Sequence, residues 1–528
     1  MHTDQNPEAS SSASPSHPPG KPRRPDLTQG PITSTLLVFS LPVLGGNALQ
    51  SLNASVNQFW VSHSLGVTAI TAIGNANIVM MLMLGAIFGV SMAANILIGQ
   101  SAGARDMPMV KRVMGTATTF FAGLAVLVST IGYVFSPHIL AAMGTPGEAL
   151  QEAETYLRIV FLSMPFLYFF AFLQMAQRGL GDSRTPFLFM LLAVALDLLL
   201  NPLLIRGIGP FPKLGIAGSA TSTFVAQGVA LACLVARLYA RGSPLMLRWN
   251  ERERLRPEWA IMKTLVWRGL PMGCQMLVMS GAAIVMIGFV NAYGAVTAAA
   301  YTAASQVWTY LQMPAMALGA AISSMAAQNI GAHRWERVTQ VARSGVISGI
   351  VVTAAIAALI YLLGDTTLRI FLPPDSEALP VAHHINNTVL WSFVLFTVTF
   401  SLSGVVRATG AVWPPLVVLV VSMFLIRVPF AKLLTPSMGA DAIWWSFPLG
   451  TITASVLITL YYHFGRWRGT QLLDTLEASS HAADAGMATP AVSSHGALDD
   501  TPRPPLATAA MAGATATAAA GATRSSRP

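Results

Sequence analysis

One acidic residue stands where membrane chemistry is possible: Asp197, about ten residues into an apolar run that begins near residue 187. With 1.5 Å of rise per helical residue, its carboxyl would lie roughly 15 Å into a hydrocarbon layer about 30 Å thick. An ionised carboxylate at that depth costs at least about 2.5 kcal/mol, so it should face a wet cavity, and enclosure of that cavity favours the neutral acid. Such a group can hold a proton or serve a cation. The bland alternative is a hydrogen bond that merely ties neighbouring helices together. Every other Asp and Glu falls in a tail, a loop or a helix end. Asn201, four residues on, shares the helix face of Asp197 and could orient the carboxyl or join a cation site. Asn47, Gln50, Asn53 and Asn57 recur at steps of three, three and four, which makes one polar stripe along a helix. That stripe either lines a cavity or hydrogen-bonds a neighbouring helix, because amides facing lipid are costly.

The elements that must position these residues are set by composition. Of 528 residues 53% are hydrophobic and 10% charged, more apolar side chain than a water-soluble fold could bury. Most of the apolar residues fall in runs of roughly 18 to 25, the length of a membrane-crossing helix. The runs predict an all-α polytopic membrane protein with helices near 33–60, 68–99, 112–136, 156–177, 187–206, 215–239, 265–291, 299–327, 344–363, 384–405, 413–434 and 441–464. Six helices fall in a first lobe (31–240) and six in a second (265–465), joined by a connection over 241–264. The Pro/Ser-rich residues 1–30 and the Ala/Thr/Ser/Pro-rich residues 466–528 are expected to be disordered, having too little apolar surface to offset ordering entropy.

The net charge of +9 does not mark a nucleic-acid binder, since Lys and Arg sit in short segments between apolar runs. Alternate connections hold most of them, including Arg105, Lys111, Arg112, Arg178, Arg184, Arg334, Arg337 and the cluster from Arg237 to Arg268. The positive-inside rule then places both termini in the cytoplasm. The N-terminus lacks the pattern of a signal peptide. Cys233 and Cys274 lie in apolar stretches, with neither a disulfide framework nor metal-ligand spacing.

The halves repeat each other at an offset of 228 to 229 residues. Leu41-Pro42 recurs as Leu270-Pro271, Gln100-Ser101-Ala102-Gly103-Ala104 as Gln328-Asn329-Ile330-Gly331-Ala332, and Arg178 with Gly181 and Pro186 as Arg407 with Gly410 and Pro415. An offset holding six helices gives two bundles of the same orientation, related by a pseudo-twofold axis along the membrane normal. A central cleft and rocking of the bundles would supply alternating access.

Several stretches in this order resemble one transporter family. They are Pro42, Val56-Asn57-Gln58-Phe59-Trp60-Val61 leading to Leu65-Gly66, Gln100 with Gly103-Ala104, Arg178-Gly179-Leu180-Gly181-Asp182 with Pro186, and Asp197 to Leu203. Leu214 to Ala220, Gly404 with Arg407 and Gly410, and Arg427-Val428-Pro429 continue the series. Over residues 33 to 465 the chain resembles the multidrug and toxic compound extrusion (MATE) family, in its DinF-like bacterial branch. The resemblance implies a twelve-helix antiporter whose lobes enclose a V-shaped cleft, expelling cationic drugs in exchange for sodium ions or protons. In that family the place of Asn57 usually holds an aspartate, and the pattern matched by Asp197 and Asn201 is usually an asparagine followed by an aspartate. If the first lobe closes as in the family, Asn57, Asp197, Asn201 and Thr223 surround one site with a single negative charge, which favours protons over sodium. In the second lobe, positions where the sodium-coupled branch places acids hold Met279 and Phe396.

Gln275, Tyr301, Gln306, Tyr310 and Gln312, with Met272, Met276, Met313 and Met316, are candidates for a substrate surface, although Met and aromatic residues at helical spacing are as readily core. For Arg427 snorkelling to the outer interface is the plain account and gating the sharper one. Arg178, Asp182 and Arg407, beside Gly and Pro at helix ends, read as structural or gating residues. The expected activity is export of amphipathic or cationic small molecules by a monomer that uses an ion gradient and no cofactor. Two rivals remain open: a flippase for lipid-linked precursors, which would want a basic cavity, and a transporter-like sensor, which would want a signalling module. No Walker A loop, zinc pair or nucleophile triad points to an enzyme.

Overall fold

In the computed structural model, which describes residues 26–65, 67–143, 147–373, 375–469 and 472, the chain forms twelve long helices and, among the described residues, no strand. They are α1 (Ile32–Leu65), α2 (Val67–Gly103), α3 (Met107–Ala142), α4 (Gly147–Gly179), α5 (Arg184–Arg206) and α6 (Ile216–Ala240). The second half contains α7 (Trp259–Asn291), α8 (Ala295–Gly331), α9 (Trp335–Leu363), α10 (Ala378–Thr409), α11 (Trp413–Met438) and α12 (Asp441–Phe464). Eleven are long and apolar enough to cross a membrane by length and composition. The exception is α8, whose second half is buried almost continuously, so its small and polar residues never meet lipid.

Each half packs in the same way. In the first, α4 lies against α2, α3 and α6, and α5 pairs with α6 and α1; in the second, α10 lies against α8, α9 and α12, and α11 pairs with α12. The halves meet along α1, α2, α7 and α8. At one end of that seam the repeated Gln-x-x-Gly-Ala motif becomes legible. Gln100 Nε2 donates to Ala408 O at 2.7 Å, and Gln328 Nε2 donates to Gly179 O at 2.7 Å, so each half grips the backbone of the other. The glycines allow the crossing: a Cβ on Gly103 would lie 1.9 Å from Gln328 O, and one on Gly331 1.8 Å from Gln100 O. Both helices then end through a left-handed residue that is not glycine, Arg105 (φ 61°) and His333 (φ 55°). Reciprocal contacts of this kind are what a pseudo-twofold axis between the bundles requires.

The same end carries the basic connections. The connection between α6 and α7, which contains a kinked 3₁₀ segment (Trp249–Leu255), is strapped to α3 by ion pairs of Lys111 with Glu251 in that segment and of Arg112 with Glu258 at the start of α7. Hydrogen bonds from the Lys111 ammonium and the Arg248 backbone hold the Glu251 carboxyl below its usual range.

Unfolded tails were expected through residue 30 and from residue 466. The structure orders Asp26–Gly30 and Arg466–Gly469, because Leu27 and Trp467 are buried anchors in otherwise polar sequence. Asn329 Nδ2 donates to Leu27 O (3.1 Å), Arg334 Nη1 to Thr28 O (2.7 Å) and Arg337 Nη2 to Gly30 O (2.8 Å). The segment leading into α1 therefore straps the first half to the second. Burial raises the Asp26 carboxyl, but hydrogen bonds from Thr28 and the charges of Arg105 and Arg334 outweigh it and hold the group below its usual range. Its stabilisation is therefore present at neutral pH and lost only on acidification below the ordinary carboxylate range. Leu27→Ala is expected to cost about 2–5 kcal/mol, read as a lowered thermal midpoint of the reconstituted protein. The remainder of both expected tails lies outside the described residues.

Candidate functional site

A polar cluster joins α1, α5 and α6 inside the first half, with Asp197 at its centre. Asp197 is 3% exposed and Asn201 1%. The stripe on α1 faces them: Asn53 Nδ2 donates to Asp197 Oδ2 at 2.9 Å, and one turn on, Asn57 Oδ1 accepts from Asn201 Nδ2 and from Ser219 Oγ (2.8 Å). From α6, Ser222 Oγ donates to Asp197 Oδ1 at 2.6 Å and Thr223 Oγ1 lies 3.2 Å from the same oxygen. Three neutral donors converge on one carboxylate. Among the described residues no group of three or more His, Cys, Asp or Glu side chains is placed to hold a metal ion.

Two features let this cluster serve either protonation state. The Ser222 and Thr223 hydroxyls each have a second acceptor in reach, Ser219 O at 2.9 and 3.3 Å, to which they can turn if the carboxyl gains a proton. Asn53 Oδ1 is buried without a partner, so rotation of that amide would present an acceptor to a protonated Asp197. Asn201 Oδ1 is likewise buried and unpartnered, which leaves the lining rich in oxygen.

The sequence named Asn57, Asp197, Asn201 and Thr223 for this site and placed Asn53 on a cavity face; the structure brings all five together. It missed Ser219 and Ser222, whose hydroxyls look like ordinary small packing residues in the run Gly218-Ser219-Ala220-Thr221-Ser222-Thr223. Their spacing of three was the available signal. Asn47 is half-buried and Gln50 exposed on the same helix, beyond the hydrogen bonds of the cluster described above.

The second-half candidates divide. Gln306 and Tyr310 are exposed on the half of α8 remote from the Gln328 clasp. Tyr301 and Met313 are packed inside, with Tyr301 stacked 6.1 Å from Trp444 and edge-on to Trp308 at 5.7 Å. Arg427 does not snorkel. Pro429 has no N–H for the normal helical bond, α11 passes through a π-helical turn at Val421–Arg427, and the guanidinium packs 3.3 Å from the centre of the Phe447 ring, 7% exposed. Gln275 accepts from Arg407 Nη1 at 3.1 Å. Asp182 caps α5, accepting from Arg184 N, Thr185 N and Thr185 Oγ1, and Arg178 folds against Met175 Sδ, so both serve the helix ends. Pro42 lies half-buried within α1.

Comparison with known proteins places this arrangement. The MatE family profile matches residues 42–203 and 271–433, one copy per half and at the offset of the internal repeat. A probable multidrug resistance protein of Bacillus subtilis, YoeA, is 34% identical over 440 residues, covering 83% of this chain and 95% of the relative. A second from the same organism, YpnP, is 31% identical over 452 residues, covering 85% and 98%. Among solved structures, an outward-facing multidrug resistance MATE transporter of the MOP superfamily superposes with a TM-score of 0.76 at 21% identity, over 86% of this chain and 98% of that one.

Proposed function

The chain belongs to the MatE family of multi-pass membrane transporters, and on that premise we propose that it is a proton-coupled antiporter expelling amphipathic, often cationic, small molecules across a bacterial inner membrane. The observation that carries this reading is the enclosed Asp197 carboxyl, the one buried acid among the described residues, held by two hydroxyls that can turn to another acceptor and by an amide that can turn its oxygen inward. Facing the more alkaline cytoplasm, Asp197 is ionised and attracts a cation. Facing outward it takes a proton and releases its cargo. Proton and cargo compete for one charge, and a membrane potential adds about 2.3 kcal/mol per elementary charge per 100 mV to the proton's inward passage.

With the basic end cytoplasmic, both termini lie inside the cell and the Gln100/Gln328 clasp closes the cytoplasmic route. The exposed Gln306 and Tyr310 then lie on the outer side of that seal, where departing cargo would pass. Alternation requires the clasp to part while the first-half cluster stays whole. The flippase reading ranks lower because Arg407 and Arg427 sit in separate packing environments and form no basic patch.

Efflux of a fluorescent cation from vesicles, with proton and sodium gradients imposed separately, tests the coupling. A proton gradient alone is expected to drive it; drive by sodium alone would refute the reading. Asn57→Asp should fold, because a carboxylate there keeps both donors, Asn201 Nδ2 and Ser219 Oγ. The added charge one turn from Asp197 is expected to bring in sodium-driven efflux, checked by the same sodium-only arm.

A further inference from the structure

The second half contains a cavity that the coupling site does not use. It has a volume of about 30 Å³ and lies between α7, α10, α11 and α12. That is room for one small guest of water or halide size. Arg407, Gln275, Ser403 and Thr399 supply its polar lining, with Met279 and Phe400 among its walls.

The polar atoms are biased toward donors. Arg407 Nη1 donates to Gln275 Oε1, which occupies one lone pair of that acceptor; Arg407 Nε and Gln275 Nε2 are both buried with no partner. Thr399 Oγ1 already donates to Leu395 O at 3.3 Å, whereas the Ser403 hydroxyl lines the cavity and can turn toward a guest. No carboxylate balances the guanidinium. Of the four helices around the cavity, α7, α10 and α11 contain no Asp or Glu, and α12 has only Asp441 at its first residue. Ala454, the α12 residue at the cavity, is thirteen positions further on, roughly 20 Å along the helix. A half-buried cation with unspent donors and no counter-charge is stabilised when an anion joins it. The matching residue of the first half, Arg178, likewise has a buried Nε without a partner, but its Nη1 lies against the Met175 thioether, whereas Arg407 Nη1 meets a glutamine amide whose own Nε2 is also unpartnered.

We propose that this cavity binds a single small anionic group, halide or carboxylate, held by Arg407 Nε, Gln275 Nε2 and the Ser403 hydroxyl. Bound there, the anion neutralises Arg407 and ties α7 to α10. Its source is either free anion or the carboxylate of an amphipathic cargo. The site is independent of proton coupling at Asp197.

The test uses the full chain in nanodiscs. Its thermal midpoint is titrated with sodium chloride or bromide against sodium methanesulfonate at constant ionic strength, and separately with octanoate. Saturable stabilisation by halide, weakened tenfold or more in Gln275→Leu and in Ser403→Ala and retained in Asp197→Asn, supports a free-anion site. The same pattern with octanoate but not halide supports the cargo carboxylate. Bromide in crystals should give an anomalous peak within hydrogen-bonding distance of Arg407 Nε. No anion dependence, as for a cavity holding water alone, or dependence undiminished in Gln275→Leu, overturns the proposal.

Discussion

Replacing Asp197 with asparagine is expected to abolish proton-driven efflux while leaving the protein folded. The amide has the carboxylate's shape, and its oxygen can still accept from Ser222 and Thr223. Its new N–H₂ would oppose the Asn53 amide, but Asn53 can turn its unpartnered oxygen inward to accept it. The change in stability should therefore stay near the value of one ordinary hydrogen bond, about 1 kcal/mol. Transport has no such substitute. With the lone charge gone, no proton is carried and a cationic cargo loses a charge-assisted partner, an interaction of about 1.5–3 kcal/mol, so efflux should fall at least about tenfold. Vesicle efflux under a proton gradient, paired with the thermal midpoint of the same preparation, separates the two effects. Full proton-driven efflux in the variant would remove Asp197 from the mechanism.

The second large effect is expected at the crossing of α2 and α8. In Gly331→Ala the new Cβ would lie 1.8 Å from Gln100 O, a backbone atom that cannot swing aside, so the helices must separate. Overpacking of this kind costs about 1–3 kcal/mol, which is roughly a 5- to 150-fold change in the balance between closed and open cytoplasmic ends. Gly103→Ala, at 1.9 Å from Gln328 O, should act alike because the crossing is symmetric. Spin labels at the exposed Met107 and Glu336, in a background lacking Cys233 and Cys274, should report a longer distance between the halves. Gln100→Leu should move the distribution in the same direction, because it removes the hydrogen bond to Ala408 O without adding bulk at the crossing. An unchanged distance distribution in both glycine variants would mean that this crossing does not set the conformation.

Much of this was legible in the sequence, and the gaps follow a physical pattern. Helix positions follow from apolar runs, and Asp197 stood out because a charge in lipid is costly wherever it points. The amides of Asn53 and Asn57 were visible as one face of α1, since helical period alone fixes that. Ser219 and Ser222 were not, because a hydroxyl in a small-residue helix packs equally well with or without a functional partner. The clasp was visible only as a repeated motif: that Gln100 reaches Ala408, and Gln328 reaches Gly179, depends on how the two bundles meet. Leu27 escaped notice for a related reason, since a single apolar anchor in a polar tail is invisible to any window average. Arg427 misled because its long stem allows snorkelling, whereas the π-helical turn before Pro429 and the Phe447 ring hold it inside.

The central claim is that one carboxyl exchanges its proton for cargo, and the most direct measurement counts protons. Purified protein in weakly buffered detergent solution is mixed with saturating cationic substrate, and the released protons are followed with a pH indicator across a range of starting pH. The expected result is release that rises toward one proton per protein where the carboxyl begins protonated, and none in Asp197→Asn. Cation binding without proton release at any pH, or equal release from wild type and Asp197→Asn, would contradict it.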